Sequence, residues 1–204
     1  MVRVKICGIT NLEDALDAVG AGADALGFNF WRGSKRCVRP RVARRIVEAL
    51  PSEILCVGVF VNEDGEAVRR IAEESGVGAV QLHGDESPEY CAGLRGLSVI
   101  KALRVGADFQ PERAADYGTD AILLDAYAEG APGGTGQTFD WSLARAARER
   151  VPRLYLAGGL TPENVGAAVA AVAPFAVDVC SGVERAPGRK DAARVREFVR
   201  AARS

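Results

Sequence analysis

The chain has 204 residues, with 26 Lys+Arg against 27 Asp+Glu, a net charge of −1, 48% hydrophobic and 26% charged residues. That length carries one domain with a sizeable core, and the even charge balance argues against a nucleic-acid-binding surface, whose usual footprint is a basic patch. No run approaches the roughly 18 apolar residues a membrane span needs, and the opening Met1-Val2-Arg3-Val4-Lys5-Ile6-Cys7 is too short and alternating for a signal peptide, so a cytoplasmic protein without membrane or nucleic-acid partners is expected.

Short β-branched runs alternate with longer amphipathic ones. A first strand is expected over 2–7, where alternation puts Val4 and Ile6 on one face and Lys5 and Cys7 on the other. Thr10-Asn11-Leu12-Glu13 resembles a capping box opening a helix over 12–21, with Gly20 and Gly22 near its end. A strand over 25–30 leads into the loop Trp31-Arg32-Gly33-Ser34-Lys35-Arg36, then a helix over 42–50. A strand over 54–61 and a helix over 67–75, closed by Gly76, come next. Strands over 79–83, 98–103 and 121–125 follow, the first two with short helices after them. A helix over 143–150 precedes a strand over 154–157, and Thr161-Pro162-Glu163 puts proline at the first position of a helix over 164–172. A strand over 176–180 and a helix over 192–202 complete the pattern. Arg194, Arg196, Arg200 and Arg203 read as the solvated face of that last helix.

These are about eight βα cycles, the number that closes a parallel barrel. The expected fold is α/β, a single (β/α)8 TIM barrel with a parallel eight-stranded sheet spanning 1–204. An open doubly wound sheet also explains the alternation, but gives no special reason for two glycine turns in the last two cycles. Those turns, Gly158-Gly159 and Ser181-Gly182, each follow an apolar run and precede an expected helix. Glycine lets backbone N–H groups close on an anion, and barrels often build phosphate sites after strands 7 and 8. A phosphate-bearing small molecule is therefore the expected ligand.

Function in such barrels gathers at the C-terminal strand ends. In order these carry Cys7, Asn29, Asn62, His83, Arg104, Asp125, Gly158-Gly159, and Asp178 with Ser181. Cys7 can be a small buried hydrophobe; at a strand tip before Gly8 it is open to a ligand, and a nearby cation would favour its thiolate. Asp125 ends the run Ala121-Ile122-Leu123-Leu124, where desolvation favours the proton-bearing acid, although a turn or cap aspartate reads the same locally. Strands 1 and 6 are not neighbours in an eight-stranded ring, so a thiol and a carboxyl would flank a substrate lying across the mouth, as an acid/base isomerisation needs.

Arg36 has the planar fork that suits a carboxylate, against the plainer reading of a surface loop charge. His83, the one histidine, shares an inward parity with Gln81 and reads first as a structural hydrogen-bonding group, with substrate contact as the alternative. Lys5 and Lys101 are both expected to point inward and to pair with carboxylates such as Asp178, which can instead hold a substrate hydroxyl. Gly133-Gly134-Thr135-Gly136 reads as a mobile lid or an ordinary loop. The cysteines at 7, 37, 56, 91 and 180 stand singly, so no CxxC zinc or redox motif is present, and an odd count fits a reducing cytoplasm. Cys37, Cys56, Cys91 and Cys180 have no constellation around them.

The chain resembles the phosphoribosylanthranilate isomerase family of tryptophan biosynthesis along nearly its full length. The resemblance is carried by Lys5-Ile6-Cys7-Gly8-Ile9-Thr10, Gly27-Phe28-Asn29-Phe30, Ser34-Lys35-Arg36, Val57-Gly58-Val59-Phe60-Val61-Asn62 and Val80-Gln81-Leu82-His83-Gly84. It continues through Leu123-Leu124-Asp125, Gly133-Gly134-Thr135-Gly136, Leu156-Ala157-Gly158-Gly159-Leu160 and Asp178-Val179-Cys180-Ser181-Gly182-Val183-Glu184. The order and number of these segments make it specific. It implies a barrel enzyme, monomer or homodimer, that uses no cofactor or metal and catalyses an Amadori rearrangement of N-(5-phosphoribosyl)anthranilate. By the same resemblance Cys7 is the general base and Asp125 the general acid. Arg36 holds the anthranilate carboxylate, and Gly158, Gly159, Ser181 and Gly182 bind phosphate. Asp178, His83 and Gly134 complete the expected substrate contacts. Cys180 departs from the family, standing where a small residue, often serine, is expected; Trp31-Arg32-Gly33 departs in the strand-2 loop.

Three other readings compete. A sugar-phosphate epimerase would want metal-ligand histidines. The analogous isomerase of histidine biosynthesis would favour a carboxylate at the end of strand 1. A phosphometabolite-binding regulator would have no need of Cys7 and Asp125.

Overall fold

The structure, a computed structural model, describes residues 1–126 and 139–204. Eight parallel strands close into a barrel in sequence order, β1 (Arg3–Cys7), β2 (Ala25–Asn29), β3 (Leu55–Phe60), β4 (Ala79–Leu82), β5 (Val99–Val105), β6 (Ala121–Ala126), β7 (Leu154–Leu156) and β8 (Ala176–Val179), with β8 pairing back onto β1. Outside the ring run α1 (Leu12–Gly20), α2 (Pro40–Val47), α3 (Gly65–Ser75), α4 (Pro88–Gly93), α5 (Trp141–Arg148), α6 (Val165–Val172) and α7 (Ala192–Ala202), with a 3-10 helix over Pro111–Tyr117 after β5. The short hairpin β9 (Glu184–Ala186) and β10 (Arg189–Lys190) stands between β8 and α7. No helix among the described residues is long and apolar enough to cross a membrane.

Strand alternation sorts the core into two layers. Ile6, Leu26, Phe28, Phe60, Val80, Leu82, Ile122, Leu124, Leu156 and Val177 face the helices, where burying a large apolar side chain contributes about 1.5–3 kcal/mol each. Val57, Ala79, Ile100, Ala102, Ala121, Leu123, Tyr155, Ala157 and Ala176 fill the interior. Because both faces are apolar, parity is hard to assign from sequence. Lys101 illustrates this. Ile100 and Ala102 take the interior positions of β5, so Lys101 points outward, contrary to expectation, and its Nζ donates to Glu86 Oε2 (2.7 Å) and to the carbonyls of Gly84 (2.8 Å) and Leu82 (3.2 Å).

Several helix starts differ from expectation for local reasons. Asn11, not Thr10, caps α1: its Oδ1 accepts from Asp14 N (2.9 Å) and its Nδ2 donates to Asp14 Oδ2 (2.7 Å), while the Thr10 hydroxyl donates to Gly188 O (2.7 Å). Pro40 opens α2 two residues before the expected start, its fixed φ suiting a first turn. Pro162 lies in a turn ahead of α6 rather than at its first position, and that turn runs into the helix because Val165 N donates to Thr161 O (3.0 Å). Ser181-Gly182 leads into a single 3-10 turn, Ser181–Val183, not an α-helix.

Candidate active site

The β1–β8 register sets Lys5 beside Asp178, both turned into the barrel. Lys5 Nζ donates to Asp178 Oδ1 at 2.8 Å with both side chains buried. Burial pushes the Asp178 carboxyl up to about 6, against the pull of Lys5, and the cation in turn is held protonated against its own burial by Asp178 and Cys7. Cys7 follows two residues on, with Gly27 as its register partner on β2. A Cβ at Gly27 would lie 2.7 Å from Cys7 Sγ and 3.1 Å from Lys5 Nζ, so the missing side chain is the space in which sulfur and ammonium meet. The Cys7 thiol is held well below its ordinary range by a hydrogen bond from Cys180, against burial, with help from the charges of Lys5, Lys190 and His83. Such surroundings favour the thiolate form of a cysteine.

Asp125, the penultimate residue of β6, also turns inward, sharing its face with Leu123. Its Oδ1 accepts the N–H of Ala126 (3.0 Å), and Oδ2 meets His83 Nε2 at 3.2 Å. His83 Nδ1 meets Gln81 Nε2 at 2.8 Å. Donation by that amide leaves the ring proton on Nε2, directed at Asp125 Oδ2. Gln81, His83 and Asp125 thus form a chain across β4 and β6 on the cavity wall.

Arg36, in the loop after β2, is gripped by Glu184: Nε lies 2.9 and 3.1 Å from the two carboxylate oxygens and Nη2 lies 2.6 Å from Oε2. Burial disfavours the Glu184 carboxylate, but hydrogen bonds from Arg36 and the charge of Lys190 hold it below the ordinary range, and Arg36 is held more firmly protonated in return. Lys190 Nζ, from β10, donates to Glu184 Oε1 (3.0 Å) and Cys180 O (3.2 Å).

The two glycine turns pack together at the ends of β7 and β8. Gly158 and Gly159 have φ of 86° and 63°, open to glycine and strained for other residues. A Cβ at Gly158 would sit 2.5 Å from Ala126 N, and one at Gly182 would run into Leu160 O. Asn164 braces the first turn, its Nδ2 donating to Gly159 O (2.9 Å) and its Oδ1 accepting from Thr161 N (2.8 Å). Arg194 Nε braces the second through Gly182 O (3.0 Å).

Cys7, Arg36, His83, Asp125, Gly158, Gly159, Asp178, Ser181 and Gly182 therefore border one cavity of about 530 Å³, the size of a small-molecule site. Among the described residues no group of three or more His, Cys, Asp or Glu is arranged to hold a metal ion. Asn62 and Arg104 are spent elsewhere. Asn62 Oδ1 accepts from Asp85 N (2.6 Å) and its N–H donates to Glu86, while Arg104 pairs with Asp85. Gly134, with Gly133, Thr135 and Gly136, lies outside the described residues. Sequence reasoning missed Cys180 as a lining residue, and Glu184 and Lys190, which stand behind the wall with Glu184 gripping Arg36 and Lys190 gripping Glu184. Pro187-Gly188, a turn dipeptide with Gly188 at φ 77°, was the available signal for the hairpin that delivers Lys190.

Residues 4–201 match the sequence profile of the N-(5'-phosphoribosyl)anthranilate (PRA) isomerase family. An N-(5'-phosphoribosyl)anthranilate isomerase from Geobacter sulfurreducens is 56% identical over 203 residues, covering 100% of this chain and 99% of the relative. A crystal structure of phosphoribosyl anthranilate isomerase from Thermotoga maritima superposes with a TM-score of 0.93 at 50% identity, covering 100% of this chain and 99% of that one. Another phosphoribosyl anthranilate isomerase structure, with TM-score 0.90 at 48% identity and the same coverage, holds reduced 1-(o-carboxyphenylamino)-1-deoxyribulose 5-phosphate. By profile, sequence and fold, this chain belongs to the N-(5'-phosphoribosyl)anthranilate isomerase family.

Proposed function

We infer that the chain is the isomerase of tryptophan biosynthesis that converts N-(5'-phosphoribosyl)anthranilate, an aminoaldose, into 1-(2-carboxyphenylamino)-1-deoxyribulose 5-phosphate, an aminoketose. Membership of the family over residues 4–201 carries the reading. The cavity supports it, because a thiol on β1, a carboxyl on β6, an arginine and two glycine turns border one space.

In this reading the glycine turns and Ser181 take the phosphate through backbone N–H groups, and Arg36 takes the anthranilate carboxylate with the donors Glu184 leaves free. The reacting sugar carbons then lie between Cys7 and Asp125. Asp125 gives its proton to the furanose ring oxygen; the C1–O bond breaks and nitrogen carries the positive charge as an iminium. That charge acidifies C2–H, and the Cys7 thiolate takes the proton, its electron pair forming the C1–C2 double bond of an enolamine. Proton return to C1, with loss of the C2 hydroxyl proton, leaves the ketone at C2. Each acid/base step contributes about 10²–10⁴-fold, and the phosphate supplies remote binding energy that orients the sugar. His83 stays on Asp125 and orients it, and Lys5–Asp178 keeps a cation beside the thiolate.

The test is turnover of phosphoribosylanthranilate by the purified chain, followed by its fluorescence, with the aminoaldose of histidine biosynthesis as the comparison substrate. Loss of fluorescence at a catalytic rate is expected with the first. No turnover of phosphoribosylanthranilate would overturn the reading.

A further inference from the structure

Register pairing of β4 with β5 ends at Leu82–Lys101, and the next residue on the β4 side, His83, is the one that meets Asp125. Past that point the side chain of Lys101 continues the link. It is buried outside the ring, and its ammonium offers three N–H groups to three oxygens: Leu82 O at 3.2 Å, Gly84 O at 2.8 Å and Glu86 Oε2 at 2.7 Å. Two of these are the carbonyls of the residues flanking His83, so the cation holds the chain on both sides of the imidazole. Glu86 closes the clamp. Its Oε2 also accepts Gly84 N (2.9 Å), and its Oε1 accepts Asn62 N (2.8 Å), just past β3, and Gly84 N (3.2 Å). His83 N in turn donates to Phe60 O (2.8 Å) at the end of β3. A Cβ at Gly84 would run into Asn62, so the loops after β3 and β4 are fitted closely to each other around this carboxylate.

His83 needs this support because its reach to Asp125 is long. Nε2 lies 3.2 Å from Oδ2, the outer end of the ordinary range, and a shift of about 0.5 Å would break the contact. Gln81 sets the tilt of the ring from within the barrel, 2.8 Å from Nδ1, but the backbone sets how far the ring extends. A buried ion pair adds little stability over apolar residues of like size, so stability alone does not account for Lys101 and Glu86. Their opposite charges stand 2.7 Å apart, and what they pass to the site is mainly position. We propose that Lys101, with Glu86, is a positioning residue for the reaction, clamping the chain on both sides of His83 so that the ring stays on Asp125 and holds that carboxyl toward the sugar. The proposal rests on the reading of Asp125 as the proton donor. The Tyr117 ring lies 5.9 Å from Lys101 Nζ, and Tyr90 and Cys91 lie near Glu86; none of the three borders the cavity.

The experiment compares Lys101→Met and the double variant Lys101→Met/Glu86→Gln with the wild-type chain. The double variant leaves no buried carboxylate without its cation, and is the one measured if the single variant does not fold. His83 is the one histidine of the chain, so isotope-labelled histidine gives one pair of ring-nitrogen signals by NMR. At mildly alkaline pH, where imidazole is neutral, the wild-type pair should read as one protonated and one bare nitrogen. In the variants both signals should move toward the average of a ring exchanging between tautomers. Turnover of phosphoribosylanthranilate should lose about tenfold in kcat, the worth of one hydrogen bond to a charged group, with KM little changed because Arg36 and the glycine turns are untouched. The same substitution in a His83→Ala chain should cost nothing further, since the ring it steadies is gone. Ring signals that stay at their wild-type positions, or a loss of kcat that persists undiminished in the His83→Ala chain, overturns the proposal. Failure of the Asp125 reading would look different, as wild-type turnover in Asp125→Asn with ring signals that still respond to Lys101.

Discussion

Glu184 holds Arg36 through both carboxylate oxygens although 148 residues separate them, with contacts of 2.6, 2.9 and 3.1 Å. The grip uses Nε and Nη2, so the proposed carboxylate contact falls to Nη1. Arg36→Met should therefore raise KM by about 10–100-fold with little change in kcat, the loss of a charged hydrogen-bonding pair. Glu184→Gln keeps the shape but weakens the grip, and a smaller rise in KM is expected. Affinity for an anthranilate-bearing product analogue, measured by titration, checks both; unchanged affinity in Arg36→Met would count against the assignment.

The proposed proton-transfer pair makes the opposite demand on the kinetics. Cys7→Ser and Asp125→Asn should each lower kcat by about 10²–10⁴-fold with modest change in KM, because neither side chain is invoked for ground-state binding. Steady-state kinetics with the two constants resolved decide this, and near wild-type turnover in either variant refutes its role.

Asp178 gives a stability prediction with a definite sign. Its carboxyl titrates at about 6 in the folded chain against an ordinary 3.8, so between those values the folded chain keeps a proton that the unfolded chain has released. Rising pH across that window takes stability away, on the order of 3 kcal/mol in all. Asp178→Asn should flatten that slope. Urea unfolding of both proteins at pH 4.5 and 7.5 measures it, and identical slopes would disprove it.

Gly182 tests the phosphate cup. Its missing Cβ leaves room beside Leu160 O, and a methyl there must displace backbone. Gly182→Ala should weaken competitive inhibition by inorganic phosphate at least about tenfold, the loss of one hydrogen bond to an anion. Equal inhibition of both proteins would separate this turn from phosphate binding.

The barrel was legible because β-branched runs and amphipathic runs alternate eight times, and Cys7 and Asp125 stood out as polar tips on apolar strands. Residues whose meaning comes from a distant partner were not legible. Lys101 sits in a strand apolar on both faces, so only the neighbouring Glu86 and Gly84 reveal that it points outward. Nothing near Glu184 in the sequence announces Arg36. Cys180 looked inert because it packs against Gly8, just after β1, which the closure of β8 onto the first strand brings beside it. Asn62 and Arg104 were sound as strand-end residues, yet Asp85 and Glu86 claim them for the loop after β4.

Gly27 carries a consequence for how this site can change over evolution. The hollow it leaves on β2 is occupied by sulfur from one neighbouring residue and ammonium from another, 2.7 and 3.1 Å from the carbon it lacks. Reactivity attributed to β1 is therefore guarded by a residue with no functional group at all. Any lineage that gains one carbon at that position must first vacate the thiol, so the chemistry and the bare backbone opposite it are inherited together.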